Sequence, residues 1–456
     1  EIVQTSPPLL IESRSGTGKT NVLFQHALTI SRELVQDPTS SPIGFVTVSK
    51  MLQAQLENMF QGIKAIHDTS LHSCVFMSLF DLLDGLAERL NLDMHTSKAT
   101  SYKEYNFCKK SHSSISQIDP RLIENEIGGV ISGSLKCAHL CRALKLQEYI
   151  EDQRSNVGKD HEYDVALRET IYNHCKSYDT WKKDSHRYDV NDMVLEILQK
   201  LRSNKISNTQ LFSAVYLDEV QDFSYSMIYL ICSIGGKNRL RWVFAGDTAQ
   251  MVSPGSSFKF AGLKQTLLSL NPGIETQLKD VAHLLVNYRT TVDVLELGNS
   301  ILAKAKQFFP GAIEFAKKEK AVNDFGLKVI VMNWEAATDE TNPSFGKDQA
   351  LIYSFDRDEE QNLSTIQKWL GDHPFILSVL DSKGLEFDDV VVAFALDRKS
   401  WKIEKQTFSA LSMLRELYVA VTRAKRRVII LMKKRSDTMK DFFANLNYEV
   451  EYCDDS

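Results

Sequence analysis

Eight residues set the frame for this chain: Ser13-Arg14-Ser15-Gly16-Thr17-Gly18-Lys19-Thr20. They follow a short apolar run, Pro8-Leu9-Leu10-Ile11-Glu12. They precede a stretch with apolar residues at helical spacing: Val22, Leu23, Ala27, Ile30 and Leu34. Strand, glycine loop, helix is the context in which a phosphate-binding loop is credible. Glycines let the backbone turn successive N–H groups toward phosphate oxygens. A lysine and a hydroxyl at the end of the loop supply a cation for the β- and γ-phosphates and a ligand for Mg²⁺. Gly16, Gly18, Lys19 and Thr20 fill those places, and Ser13 stands where the pattern has its first glycine. Serine is small enough for the tight turn, so the loop is expected to survive the exchange.

The rest of the chain alternates short apolar runs with helical patterns. Runs occur at 43–48, 214–217 and 242–245, and again at 327–332, 350–353, 375–379, 390–394 and 428–432. A helix is expected from about Lys50 to Lys64. Strands alternating with helices predict parallel sheets with helices on their faces. At 456 residues the chain exceeds the roughly 250–300 residues at which one core stops growing, so two or more cores are expected. Residues 81–187 differ: they are polar, helical in pattern and broken by Ser-rich stretches such as Lys110 to Ser116. They read as a helical subdomain inserted in the first core. The expected division is therefore 1–80 with 188–285, then 81–187, then 286–456. Thr338 to Lys347 reads as a polar loop, and the acidic tail Glu451 to Ser456 as disordered or a cut end. The absence of an initiator Met suggests a piece of a larger protein.

Composition excludes some roles. The net charge is −5, with 54 Lys+Arg against 59 Asp+Glu, so bulk charge does not draw the chain to nucleic acid. Any such binding needs a local basic groove; Lys425-Arg426-Arg427 and Lys433-Lys434-Arg435 are candidates, as is a solvated edge. No membrane span or secretion signal is visible. The seven cysteines are scattered, which fits reduced thiols in an intracellular setting, nuclear or cytoplasmic. Cys137, His139, Cys141, His174 and Cys175 do not have the spacing of a familiar zinc site and read as helix packing instead.

Two further strand ends carry chemistry. Tyr216-Leu217-Asp218-Glu219-Val220-Gln221-Asp222 places adjacent carboxylates after an apolar run. Asp218 can hold Mg²⁺ with Thr20, and Glu219 can orient and deprotonate an attacking water. Phe244-Ala245-Gly246-Asp247-Thr248-Ala249-Gln250 follows, and Gln250 can touch a γ-phosphate. Arg289, in Asn287-Tyr288-Arg289-Thr290, and Arg423, in 418–425, can stabilise transition-state charge on a phosphoryl group.

In this order the blocks resemble UvrD-like superfamily-one helicases: GTGKT at 16–20, DEVQD at 218–222, GDTAQ at 246–250, NYRT at 287–290, SKGLEFD at 382–388 and YVAVTRAK at 418–425. The wording of LLIESRSGTGKT, and of FAGDTAQ with its following Phe-Lys-Phe, resembles the ATPase modules of large eukaryotic TPR-and-ankyrin-repeat proteins. The resemblance implies an α/β fold with two RecA-like parallel-sheet cores, ATP and Mg²⁺ between them, and a helical insertion in the first core. It implies nucleotide contacts along Ser15, Gly16, Thr17, Gly18, Lys19, Thr20 and Asn21. Thr20 and Asp218 would be metal ligands, Glu219 the water-activating base, Gln250 the γ-phosphate sensor, and Arg289 and Arg423 arginine fingers. Tyr288 would stack on adenine and Glu386 approach the ribose. Thr47 and Ser49, with Phe258 as a stacking aromatic and Lys259 beside it, would face single-stranded nucleic acid.

Departures from the family pattern bear on function. The glutamine that reads adenine ahead of the loop is not among the twelve residues before Ser13. Ser378 and Leu380 stand where the family has T-x-H. The stretch between Arg289 and Lys383 is short, so the large second-core insertion is expected to be reduced or absent. Two functions follow as expectations. One is an ATP-driven translocase or helicase on single-stranded DNA, or RNA as the less favoured polymer. The other is an ATPase switch read by a protein partner in a larger parent chain.

Overall fold

The structure is a computed structural model and describes residues 2–37, 40–67, 71–110, 118–152, 165–203, 211–235, 241–253, 257–314, 318–323, 327, 329–333, 348–354, 375–394, 408–432 and 451–452. By contacts the chain divides into two compact units. Among the described residues, the first holds those up to Ser13 and those from Lys19 to His283; the second holds Arg14–Gly18 and those from Leu284 onward.

The first unit is built on a six-stranded sheet. Its strands are β1 (Leu9–Ser13), β2 (Ile43–Thr47), β3 (Cys74–Ser78), β4 (Ala214–Leu217), β5 (Trp242–Gly246) and β6 (Ala282–Leu284). Their spatial order is β3-β2-β4-β5-β1-β6. The pairs β2–β3, β2–β4, β4–β5 and β1–β5 are parallel. Every residue of β1, β2, β4 and β5 is buried. Strands covered on both faces need unbroken apolar runs rather than alternation, which is why these four stand out in the sequence. β3, with its mixed burial, does not stand out.

Helices α1 (Lys19–Leu34) and α2 (Lys50–His67) connect the first strands. Between β3 and β4 the described residues are helical: α3 (Leu79–Arg89), α4 (Tyr102–Lys110), α5 (Pro120–Asn125), a π-helical turn Glu126–Ile131, α6 (Leu135–Leu140), α7 (Leu146–Ile150), α8 (Val165–Asp184) and α9 (Val190–Ser203). Side-chain caps set several starts. Ser78 accepts from the Asp81 N–H at the head of α3, and Ser134 from the Cys137 N–H at the head of α6. Cys137 is buried and its thiol lies against the Val130 and Ile131 carbonyls; the His139 ring packs edge-on to Tyr229. Then come α10 (Tyr225–Ile234) and α11 (Phe260–Leu270).

The second unit holds a two-stranded ribbon, β7 (Val286–Thr291) with β8 (Lys320–Asn323), and helix α12 (Val292–Phe308). Its six-stranded sheet contains β9 (Ile330–Asn333), β10 (Gln349–Ser354), β11 (Phe375–Ser378), β12 (Phe387–Phe394), β13 (Ala424–Met432) and β14 (Glu451–Tyr452). The order is β11-β10-β12-β13-β9-β14, and every neighbouring pair is parallel. Helix α13 (Phe408–Val421) returns the chain from β12 to β13. The fold is therefore α/β with two parallel-sheet cores. The tail reading is corrected at Glu451–Tyr452, which pairs with Ile330–Val331 on β9 and so finds backbone partners. Thr338 to Lys347 and Lys433-Lys434-Arg435 lie outside the described residues. No helix among the described residues is long and apolar enough to cross a membrane.

Candidate nucleotide site

In the first sheet β4 and β5 follow one another toward β1, so the residues after β1, β4 and β5 emerge at one edge. Parallel strands point the same way, and ligands of open α/β sheets gather outside their carboxyl ends. Topology alone therefore brings Lys19 and Thr20, Asp218 and Glu219, and Asp247 to Gln250 to the same place.

The Thr20 hydroxyl donates to Asp218 Oδ2 across 2.5 Å. Lys19 is buried, and its Nζ donates to the Ser13 carbonyl at 3.2 Å. Asp218 has no exposed surface. Burial, and next the charge of Glu219, pushes its carboxyl above the usual range, against the pull of Thr20 and Lys19. A hydroxyl and a carboxylate in contact are hard oxygen donors of the kind Mg²⁺ takes, so these residues fit the ion that the sequence implies.

Glu219 adopts a left-handed backbone, φ 51° and ψ 44°, and caps the short turn Val220–Asp222. A non-glycine residue there is uncommon and clusters at functional sites. Its carboxylate accepts from Gln221 Nε2 at 2.6 Å. Gln221 is buried, and its Oε1 accepts the Asp247 N–H at 2.9 Å. Asp247 caps the following turn through the Ala249 N–H and accepts from Gln250 Nε2 at 2.8 Å. Beside them the Thr248 hydroxyl donates to Glu12, a buried carboxylate at the end of β1.

The middle of the loop groups with the second unit. Gly16 and Gly18 take φ +83° and +85°, a region closed to most side chains. A Cβ on Gly16 would lie 2.7 Å from Asn287 Oδ1 and 2.8 Å from Arg289 Cβ, whereas one on Gly18 would meet nothing within 4 Å. Gly16 is therefore pinned by close packing, and Gly18 borders open space. Thr17 bonds the Arg14 carbonyl at 2.8 Å, and the Gly16 carbonyl accepts the Tyr288 N–H. The Ser15 hydroxyl receives two guanidinium groups: Arg289 Nη1 at 2.6 Å and Arg423 Nη2 at 2.8 Å. Asn287 Nδ2 donates to the Ser15 carbonyl. Arg423 is held from behind by the Val419 and Leu385 carbonyls.

Other expected residues occupy varied environments. Tyr288 is 65% exposed, so its ring offers a free face. Glu386 is engaged by Arg289 at 2.6 Å and Lys425 at 3.1 Å. Burial opposes ionisation there, yet these two cations hold Glu386 below the usual carboxylate range. Asn21 is exposed on the first turn of α1. Thr47 is buried, and its Oγ1 accepts the Ser49 N–H. Lys259 is half-buried at the head of α11.

Phe258 departs from expectation. It is 1% exposed, stacked on Tyr225 with centroids 6.2 Å apart and met edge-on by Phe260 at 5.1 Å. The ring is buried against these two aromatics, so no base can stack on it as it stands. Tyr225 clamps the segment further by bonding both the N–H and the carbonyl of Lys259. Sequence reading also missed the buried bonds of Glu12, Gln221 and Asp247 in the first unit and of Asn287 in the second. Each lies inside or beside a recognised block, but no spacing rule distinguishes a residue that orients a ligand from one that fills a turn.

The family model of the UvrD/REP helicase N-terminal domain matches residues 1–261. TPR and ankyrin repeat-containing protein 1 of Homo sapiens is 25% identical over 310 residues, covering 62% of this chain and 10% of that protein. ATP-dependent DNA helicase PcrA of Leuconostoc citreum is 22% identical over 357 residues, covering 75% of this chain and 42% of that protein. The chain thus spans less than half the length of either relative. Among solved structures, the arterivirus nonstructural protein 10 helicase aligns with a TM-score of 0.40 at 12% identity, covering 98% of this chain and 63% of that one. With the family model matching more than half of its residues, this chain belongs to the UvrD/REP helicase family.

Proposed function

We propose that the chain hydrolyses ATP to drive movement along single-stranded nucleic acid, with DNA favoured over RNA. The observation that carries this reading is the contact of Thr20 with Asp218, beside Glu219, at the end of a glycine loop. Lys19 balances triphosphate charge, and the loop N–H groups orient the phosphates. Mg²⁺ held by Thr20 and Asp218 would neutralise charge developing on the phosphate oxygens. Glu219 takes a proton from water as its oxygen bonds to the γ-phosphorus. The bond to the β–γ bridging oxygen breaks, giving ADP and phosphate. Gln250 registers the γ-phosphate, and Arg289 and Arg423 stabilise its charge, making closure of the cores depend on ATP. Tyr288 offers its exposed ring to the base, with Glu386 near the ribose once released from its cations.

A second reading is an ATPase switch read by a protein partner inside the cell, and the burial of Phe258 favours it. Hydrolysis measured with and without single-stranded DNA, single-stranded RNA and duplexes separates the two. Many-fold stimulation by a single strand, abolished by salt, supports the motor. Turnover indifferent to every polymer removes the motor reading and leaves the switch.

A further inference from the structure

The buried carboxamide of Gln221 stands between two elements that the proposed mechanism uses separately. Its Nε2 donates to Glu219 Oε2 at 2.6 Å, and its Oε1 accepts the Asp247 N–H at 2.9 Å. Asp247 in turn accepts from Gln250 Nε2 at 2.8 Å. Four residues from two strand ends thus form one hydrogen-bonded series, from Glu219 to Gln250. Glutamine suits the middle position because one planar group both donates and accepts. A carboxylate there could not donate to Glu219, and an apolar side chain could do neither.

The surroundings fix that group in place. Gln221 has no exposed surface, and Gly246 leaves the space its oxygen occupies: a Cβ on Gly246 would lie 2.6 Å from Gln221 Oε1 and 2.8 Å from Val220 Cγ1. Glu219 itself is half-buried on a left-handed backbone. A base must sit within hydrogen-bond reach of its water, and the Gln221 bond fixes the direction of one Glu219 oxygen.

We infer that Gln221 is a positioning residue for ATP hydrolysis: it orients the Glu219 carboxylate and links it to the Asp247–Gln250 turn. The inference rests on the reading of Glu219 as the water-activating base. It predicts a loss confined to the chemical step, because ground-state contacts to the nucleotide come from Lys19 and the loop.

The test is steady-state ATP hydrolysis with Mg²⁺ by the purified chain, read as separate kcat and KM values, with Tm as a check on folding. Gln221→Leu is expected to lower kcat about 10–100-fold, the usual scale for a group that orients a reacting ligand, with KM little changed. Gln221→Glu keeps the size and the acceptor for the Asp247 N–H but sets a second carboxylate against Glu219, so it should lose at least as much. A role in folding alone would lower Tm in both variants and leave the kcat of the folded protein unchanged. Should Gln221→Leu fail to fold, Gly246→Ala displaces the carboxamide from outside and should give the same fall in kcat at constant KM. Glu219→Gln tells the two claims apart. If it is inactive while both Gln221 variants match the wild type in kcat, the inference is overturned and the base assignment stands. If Glu219→Gln hydrolyses ATP normally, the base assignment fails and the inference with it.

Discussion

Thr20 and Asp218 are 198 positions apart, and the hydroxyl of one meets the carboxylate of the other at 2.5 Å. That contact joins the first turn of α1 to the end of β4, and it is the pair to which the proposed metal binding is assigned. Thr20→Val keeps the shape and removes the hydroxyl; Asp218→Asn removes the charge. Each is expected to cut Mg²⁺-dependent ATP hydrolysis by about 100-fold or more, the scale seen when an electrostatic partner of the transition state is lost. A titration of hydrolysis against Mg²⁺ checks this. A wild-type response in both variants would separate the pair from metal binding.

Gly16 offers a test of the loop. Gly16→Ala must place a methyl group 2.7 Å from Asn287 Oδ1 on a backbone with φ +83°. The left-handed conformation costs roughly 1–2 kcal/mol for a side-chain residue, before the clash is counted. The expected result is a weaker affinity for ATP in equilibrium binding, with Gly18→Ala milder because a Cβ there meets nothing within 4 Å. Equal losses in the two variants would mean that strain rather than packing controls the loop.

Lys182 predicts a pH-dependent stability. Its Nζ lies 2.6 Å from Asp192, 2.8 Å from Asp189 and 3.2 Å from Asp179, in the helical segment of the first unit. Burial, and then the charge of Asp189, pushes the Asp192 carboxyl up to about 6. A carboxyl raised on folding binds its proton more tightly in the native state, so its stabilising contribution is complete below the unfolded value of about 4 and is lost as pH rises through about 6. Lys182 offsets this while it is charged. Lys182→Met leaves the carboxylates facing one another and should cost about 3–5 kcal/mol at pH 8. The deficit in Tm should shrink at pH 4 to 5 as Asp192 takes up its proton. A deficit independent of pH would assign the cost to packing.

Phe258→Ala distinguishes core from platform. The ring is buried between Tyr225 and Phe260, so its removal should cost about 3–5 kcal/mol of stability. Binding of a single-stranded oligonucleotide should be unchanged below the lowered melting temperature. An intact Tm with weakened oligonucleotide binding would show that the ring leaves the core to meet a base.

The sequence by itself determined the two parallel-sheet cores and the polar residues that follow the strand ends of the first. Unbroken apolar runs such as Leu9–Ile11 and Val243–Ala245 declare fully covered strands, because burial on both faces admits little else. Gly16, Lys19, Thr20, Asp218 and Glu219 follow such runs, and strand ends are where ligands of these sheets gather. Tertiary structure decided what each polar group does when a neighbour from elsewhere arrives. Phe258 belongs to a pattern that suggests an exposed ring, yet Tyr225 and Phe260 cover it. Glu386 pairs with Arg289 and Lys425, and Gln221 becomes a bridge because β4 and β5 lie side by side. Local sequence records periodicity and turn chemistry; which groups meet depends on strand order, and strand order is set by contacts between residues remote in the chain.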